Sequence, residues 1–548
     1  MKKLLVLISL SLFLLIVQAQ NIGYTLKSGE PINLKGSDFV NDVRELGMIN
    51  GYAYFLFLPF QRTSPNELIF FNQNPFIYKI DLKNNIVKKT ELELKADKKD
   101  LQFEGVMKLK DKLFVFSSYQ NTKEKKHYLF VQNFNPANCE LINNAKYIAE
   151  LDYSGYSKFE STAFNMVSSP DSTKVLIFYS LLTKKNVELR SGINIYDSNI
   201  NLLWKNDNVT GEFTKGIFEF QQFKIDNKGT VYLLGQHFDD KSNYFDFAQF
   251  RSRGFLSNDT YFTDMPNYTF GIYRYTENQT KPEHFPLTIP QKFIRSLNFS
   301  LQENDTIFCT GMYSETGKIS VKGSFCFDLN LESKTMSKPN TFEINSELLT
   351  RDLDPDELKR FKRSIDNNQE WDPYSYSLSE IKTRQNGEKY FIAEQHIEGI
   401  RESSSGNGRT AQISIERILI NNDLFVVSLN TDNTFKRIDK ITKRQFCLND
   451  DKYNSYAVIE KNNALYFLYT VFEQKKALLF NFKIGDSYLT RLDMKGNQIK
   501  NVFKHKDDQL PVPVLFHAMQ VTDNSLMFGS FTNKLHVKNL IQQVIITE

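Results

Sequence analysis

Phe220-Gln221-Gln222-Phe223-Lys224-Ile225-Asp226 runs into the turn Asn227-Lys228-Gly229 and out again as Thr230-Val231-Tyr232-Leu233-Leu234. Two short runs of aromatic and β-branched residues, joined by a turn whose glycine supplies the backbone freedom, describe a β-hairpin. The same strand-turn-strand start recurs at Val106 before Lys112, Phe164 before Lys174, Leu297 before Thr306, Tyr376 before Lys389, Ser455 before Ala464 and Ala518 before Leu526. These starts lie roughly 55 to 80 residues apart, the length of a four-stranded sheet with its loops. A chain of 548 residues exceeds the roughly 250 to 300 residues that one compact core can serve, so it must divide or repeat a sheet. The expectation is an all-β fold, a β-propeller of seven blades, with six or eight as alternatives. Strands between Tyr52 and Leu94 have no preceding partner, and the last start has little chain behind it. Pairing the two ends of the chain would close the ring and cover both edges.

Composition agrees with strands: Phe (47) and Tyr (26) are abundant, while Gly (24) and Pro (15) are modest. Met1-Lys2-Lys3, the apolar run Leu4 to Val17 and then Gln18-Ala19 have the order of a secretory signal, giving a signal peptide over 1–19 and a single propeller domain over 20–548. The apolar run of about 14 residues is shorter than the roughly 20 that a spanning helix needs, so no transmembrane segment is expected in the mature chain. The formal net charge is +4, and the basic runs Lys95 to Lys99 and Lys123 to Lys126 alternate with acids or sit at expected turns, so they read as solvated hairpin ends and no nucleic-acid partner is expected.

Four cysteines cannot form the scaffold of an exported protein of this size. Cys309 and Cys326 flank a hairpin near Thr316-Gly317 and are the pair placed to form a disulfide; in the chain-entropy model such a loop is worth about 3 kcal/mol. Cys139 and Cys447 are expected as buried thiols.

Two insertions interrupt the rhythm. The first, 244–268, carries Tyr244, Phe245, Phe247, Phe250, Arg251 and Arg253. Exposed aromatics with arginine are typical of interface cores, so it is a candidate binding surface. The second, at about 350–375, opens with Asp354-Pro355-Asp356-Glu357, which predicts a short helical insertion near 354–365, and it leads to Trp371 as a further candidate contact.

Ser169-Pro-Asp-Ser-Thr-Lys-Val-Leu and Ile225-Asp-Asn-Lys-Gly-Thr-Val-Tyr resemble the turn between the first two strands of a blade in common bacterial propellers. From Lys389 to Glu548, the stretches Phe391-Ile-Ala-Glu-Gln-His, Asp423-Leu-Phe-Val-Val-Ser-Leu-Asn-Thr-Asp and Ile438-Asp-Lys-Ile-Thr-Lys-Arg-Gln are similar to a family of uncharacterised secreted propeller-like bacterial proteins. The resemblance implies a fold and an envelope location, and brings no activity with it.

The sequence lacks His-Glu-x-x-His, Gly-x-x-x-x-Gly-Lys, Gly-x-Ser-x-Gly and Cys-x-x-Cys, and no cofactor is expected. Strand alternation puts Glu394, His396 and Glu398 on one face, where imidazole between carboxylates can hold a divalent metal or shuttle a proton. A solvated hairpin face is the structural alternative. The function expected is a non-catalytic binding or scaffolding propeller of the bacterial envelope, periplasmic rather than at the cell surface, contacting a protein partner through long loops. The competing expectation is an exported enzyme acting on glycans or peptides, with carboxylates from different blades meeting in the central funnel.

Overall fold

The computed structural model describes residues 22–547 except 33–41, 59–60, 65–66, 70–73, 97–98, 154–163, 183–188, 208, 210–216, 239–267, 278, 280, 303–304, 316–320, 354, 367–374, 406–411, 449–453, 475–481, 505–511 and 532–538. The expected signal peptide and nearly all of the 244–268 insertion lie outside the described residues.

The second strand of each blade explains the architecture. In Tyr52–Leu58 the alternating side chains are buried on both sides: Ala53, Phe55 and Phe57 belong to one apolar cluster, Tyr54 and Leu56 to another. A strand buried on both faces must be sandwiched between sheets, and a ring of radial sheets does this for every blade. Among the described residues, four strands pair in order in blade 1 (Asp42–Ile49 to Ile86–Glu91), blade 2 (Gln102–Leu109 to Glu140–Asp152), blade 3 (Phe164–Ser168 to Leu202–Asn206) and blade 4 (Ile217–Ile225 to Glu283–Leu287). Blade 5 (from Phe293–Leu301) has an outer strand broken into Thr335–Met336 and Asn340–Glu343. Blades 6 (Ser375–Leu378 to Phe435–Ile441) and 7 (Ala457–Lys461 to Gln498–Lys504) are joined into one ten-stranded sheet. Blade 8 combines Val512–Thr522, Ser525–Phe531 and Asn539–Ile546 with Tyr24–Ser28, which pairs antiparallel with the last strand. The ends do meet, as the edge argument requires.

The ring thus has eight blades, one more than the seven starts predict. Eight apolar clusters, each shared by two successive blades, give the same count. The uncounted blade is the first. Its inner strand, Asp42–Ile49, pairs with Tyr52–Leu58 and supplies the preceding partner that the strands between Tyr52 and Leu94 lacked.

Antiparallel order sends the first and third turns of every blade to one end of the ring, and the second turns and inter-blade links to the other. At the first end the turns are tight. Three of the third turns repeat Asp-x-x-x-Asn: Asp81, Asp197 and Asp493 each accept from the backbone N–H two and four residues on, and from the side-chain amide of Asn85, Asn201 or Asn497. Partial burial pulls these carboxyls upward, but the amide hydrogen bonds outweigh it and hold all three below the ordinary Asp value. A depressed folded pKa contributes stability above the unfolded pKa that is lost as pH falls through the folded one. Urea midpoints of the wild type should therefore fall more steeply below about pH 4 than those of the Asp81→Asn/Asp197→Asn/Asp493→Asn variant; parallel profiles would contradict this.

Blade 5 supplies a steric test. A Cβ at Gly311 would meet the Ser296 carbonyl oxygen at 1.9 Å, because the inner strand bulges between Ile294 and Ser296 and turns that carbonyl over the glycine. Gly311→Ala is expected to cost roughly 2–3 kcal/mol in urea unfolding, since backbone must shift.

The Cys309–Cys326 disulfide is not formed, and both thiols are free and buried. Cys309 pairs with Phe327 and Cys326 with Thr310, an offset of one residue that sends the two side chains to opposite faces of the blade. Cys309 packs toward blade 4 and Cys326 toward blade 6.

Candidate functional site

The three stretches that carry the family resemblance converge where blades 6 and 7 join. The second strand of blade 6, Lys389–Ser405, brings Glu394 and Gln395. Its neighbour, Gln412–Leu429, places the two residues Asn422 and Asp423 opposite the single Gln395, a bulge that turns Asp423 inward. The link out of blade 6 then doubles back as Gln445–Leu448, pairing with Ile418–Ile420 on one side and running parallel to Phe472–Glu473 on the other. This short strand fuses the two blades and carries Lys443, Arg444 and Gln445 into the junction.

The Lys443 side chain is fully buried, and its ammonium donates to Glu394 Oε1 at 2.5 Å, Gln445 Oε1 at 2.5 Å and the Asn421 carbonyl at 3.1 Å. All three of its donors are used. Burial pushes the Lys443 pKa down, and the Glu394 carboxylate opposes that shift. Glu394 Oε2 accepts from Asn421 Nδ2 at 3.0 Å, and Asn421 in turn accepts from Asn454. Asp423 lies 3.0 Å from Lys440 Nζ and is bonded to Arg444 Nη1 and to the Lys443 backbone N–H. Gln445 clamps Ser455 through both its N–H and its carbonyl, holding that residue at a φ of 103°. Each buried charge meets its opposite, as burial demands.

The helical insertion is present as Ser346–Thr350 and Pro355–Asp366, close to the predicted span. It does not project freely from the ring. Lys440 Nζ donates to the Leu349 and Arg351 carbonyls, Arg351 Nη2 donates to the Lys440 carbonyl, Thr442 donates to Asp352, and Arg444 lies 3.4 Å from Glu357. The same segment that ties blades 6 and 7 together thus holds the insertion down.

Of the residues singled out from the sequence, Tyr244, Phe245, Phe247, Phe250, Arg251, Arg253 and Trp371 lie outside the described residues. Glu394 and His396 share a strand face as alternation requires, but Glu394 is taken up by Lys443, whose ammonium fills the place a cation would occupy. The Glu398 side chain lies outside the described ones, and among the described residues no group of three or more metal-ligating side chains occurs. Lys440, Lys443 and Asp423 were not singled out, because their partners come from strands distant in sequence.

Burial pushes the Glu45 carboxyl on blade 1 up and the Lys224 ammonium on blade 4 down, and the charges of Lys382 and Glu380 oppose the two shifts. Lys224 Nζ itself donates to the Phe299 carbonyl of blade 5 at 2.6 Å. In blade 2, Ser118 donates to Glu104, and Glu104 lies 3.9 Å from His127 Nε2. Burial raises the Glu104 pKa and lowers that of His127 to about 4. Here the carboxyl stands between hydroxyl and imidazole, whereas nucleophile activation needs the imidazole in the middle; Ser118 and His127 are also buried.

No protein-family model matches this chain, and no curated protein matches it. Solved structures share its architecture weakly. The WD40 domain of SCAP from fission yeast has a TM-score of 0.38 at 7% identity, covering 96% of this chain and 98% of that one. A polysaccharide lyase, an ulvan lyase, gives 0.36 at 10% identity over 78% of this chain and 89% of its own. The β-propeller domain of the Trilobed protease from Pyrococcus furiosus gives 0.33 at 9% identity, over 90% and 99%.

Proposed function

We propose that this protein is an exported, non-catalytic binding or scaffolding propeller of a bacterial envelope, holding a protein partner against the end of the ring where its second turns and inter-blade links lie. The observation that carries this reading is the self-neutralisation of the site at that end. Glu394, Asp423 and Glu357 are each engaged by Lys443, Lys440 or Arg444. Hydrolysis of a glycan needs two carboxylates free to act as acid and base, and an arrangement of closed ion pairs serves rigidity instead. Both long insertions and the fused hairpins of blades 6 and 7 leave from this same end, and loops on a rigid scaffold are where recognition sits.

The test is affinity purification of the tagged protein from its native envelope in mild detergent, beside a variant in which 239–267 is replaced by a short Gly-Ser linker. A stoichiometric partner recovered with the wild type and lost with the folded variant supports the reading. Recovery of the protein alone, or an unchanged partner, counts against it.

A further inference from the structure

The outer flank of blade 2 carries an aromatic surface that neither the blade 6–7 junction nor the channel uses. Its third strand, Lys126–Asn135, alternates so that Tyr128 and Phe130 share a face, and Tyr147 on the outermost strand stands directly opposite Phe130. Tyr147 meets Tyr128 edge-on at 6.0 Å between ring centroids and Phe130 at 6.2 Å.

The outward placement of Tyr147 is built in. The outermost strand, Glu140–Asp152, slips register between Leu129 and Phe130, leaving Ile148 as an extra residue next to Tyr147. The Ile148 carbonyl accepts from Tyr196 of blade 3 at 2.7 Å, and Lys146 Nζ donates to the Ile200 carbonyl at 3.0 Å. The strand is thus tethered to blade 3 on both sides of Tyr147, which remains 48% exposed. Bulges that re-aim one side chain in this way are a recurring feature of functional sheet edges.

What the surface offers is chemically specific. The Tyr128 hydroxyl is bonded to Glu124, and this bond lifts its pKa to about 12. The Tyr147 hydroxyl lies 3.3 Å from Glu150 Oε2, whose other oxygen takes Lys126 at 2.7 Å. With both hydroxyls committed, an approaching molecule meets ring surface flanked by carboxylate oxygens that still have lone pairs to accept hydrogen bonds. Protein interface cores are depleted in Glu and Asp, whereas a sugar presents an apolar C–H face and a girdle of hydroxyl donors. The charges at this corner, Lys123, Lys125 and Lys126 against Glu124, Glu150 and Asp152, balance, which favours a neutral polymer over a charged one. We propose that this flank of blade 2 is a carbohydrate-binding platform for a neutral oligosaccharide, with Tyr128 and Tyr147 as its stacking surface and Glu124 and Glu150 as its acceptors.

Isothermal titration of the purified protein with cellohexaose, xylohexaose and mannohexaose, each at millimolar concentration, tests this. At least one should bind, Tyr147→Ala should weaken it by about tenfold or more, Glu150→Gln should weaken it less, and Tyr147→Phe should bind nearly as the wild type does, all with unchanged unfolding midpoints. No binding by any of the three, or equal binding by Tyr147→Ala, would overturn the proposal. So would a photo-crosslinker at position 147 that captures a protein in place of sugar. Replacement of 239–267 should leave sugar binding intact, so this platform and the partner-binding reading stand or fall separately.

Discussion

Lys443→Met should cost this ring about 3–5 kcal/mol in urea unfolding, more than any exposed ion-pair variant, because it leaves the Glu394 carboxylate buried without its cation. The geometry makes the loss threefold: Glu394, Gln445 and the Asn421 carbonyl each lose a donor at 3.1 Å or less. Pairing it with Glu394→Gln removes the orphaned charge, and the double variant should recover a large part of the loss. A double-mutant cycle measures that coupling directly. An additive result would mean that the two groups do not act as a buried pair. Exposed pairs such as Lys205–Asp207, 2.8 Å apart but both half-exposed, should by contrast change stability by less than about 1 kcal/mol.

Deletion of Tyr24–Ser28 is the second large effect expected. Five residues pair from Tyr24 with Ile546 to Ser28 with Gln542, Gln542 Nε2 donates to Ser28 Oγ at 3.0 Å, and Tyr24 and Leu26 pack on the cluster between blades 7 and 8. At about 1 kcal/mol net for each hydrogen bond, with two apolar contacts added, the ring should lose at least about 3 kcal/mol. The freed edge of Asn539–Ile546 should also drive self-association. Urea unfolding and light scattering read the two consequences; a monomer of wild-type stability would show that the ring does not depend on this closure.

The residue patterns that carried furthest in the sequence were the strand-turn-strand starts. Phe220 to Leu234 folds as expected, with its register slip between Phe220 and Gln222, because each position there agrees with its neighbours about period and turn. Blade 1 escaped notice since its inner strand opens on three charges in four residues, Asp42, Arg44 and Glu45, with no aromatic or apolar run to announce it, although Asp81-Leu-Lys-Asn-Asn85 repeats the third-turn pattern of Asp197-Ser-Asn-Ile-Asn201 and Asp493-Met-Lys-Gly-Asn497. Counting those turns would have exposed the missing blade. The site was less legible. Alternation correctly put Glu394 and His396 on one strand face, but the burial of Glu394 depends on Lys443, 49 residues away, brought in by a link that folds back between blades. Local pattern holds no record of such a return. The Cys309–Cys326 reading failed for a related reason: hairpin proximity was legible, whereas the one-residue offset that separates the two faces depends on a register that the turn sequence alone does not fix.

The central claim is that a partner is held at one end of the ring, and site-specific photo-crosslinking in the native envelope tests it most directly. A photoreactive residue would be placed in turn at exposed positions 315 and 359, at the end carrying the second turns and links, and at exposed positions 83, 228 and 495, at the opposite end. The expected result is adducts to one and the same protein from 315 or 359 and none from 83, 228 or 495. Adducts from the tight-turn end alone, or equally from both ends, would contradict it.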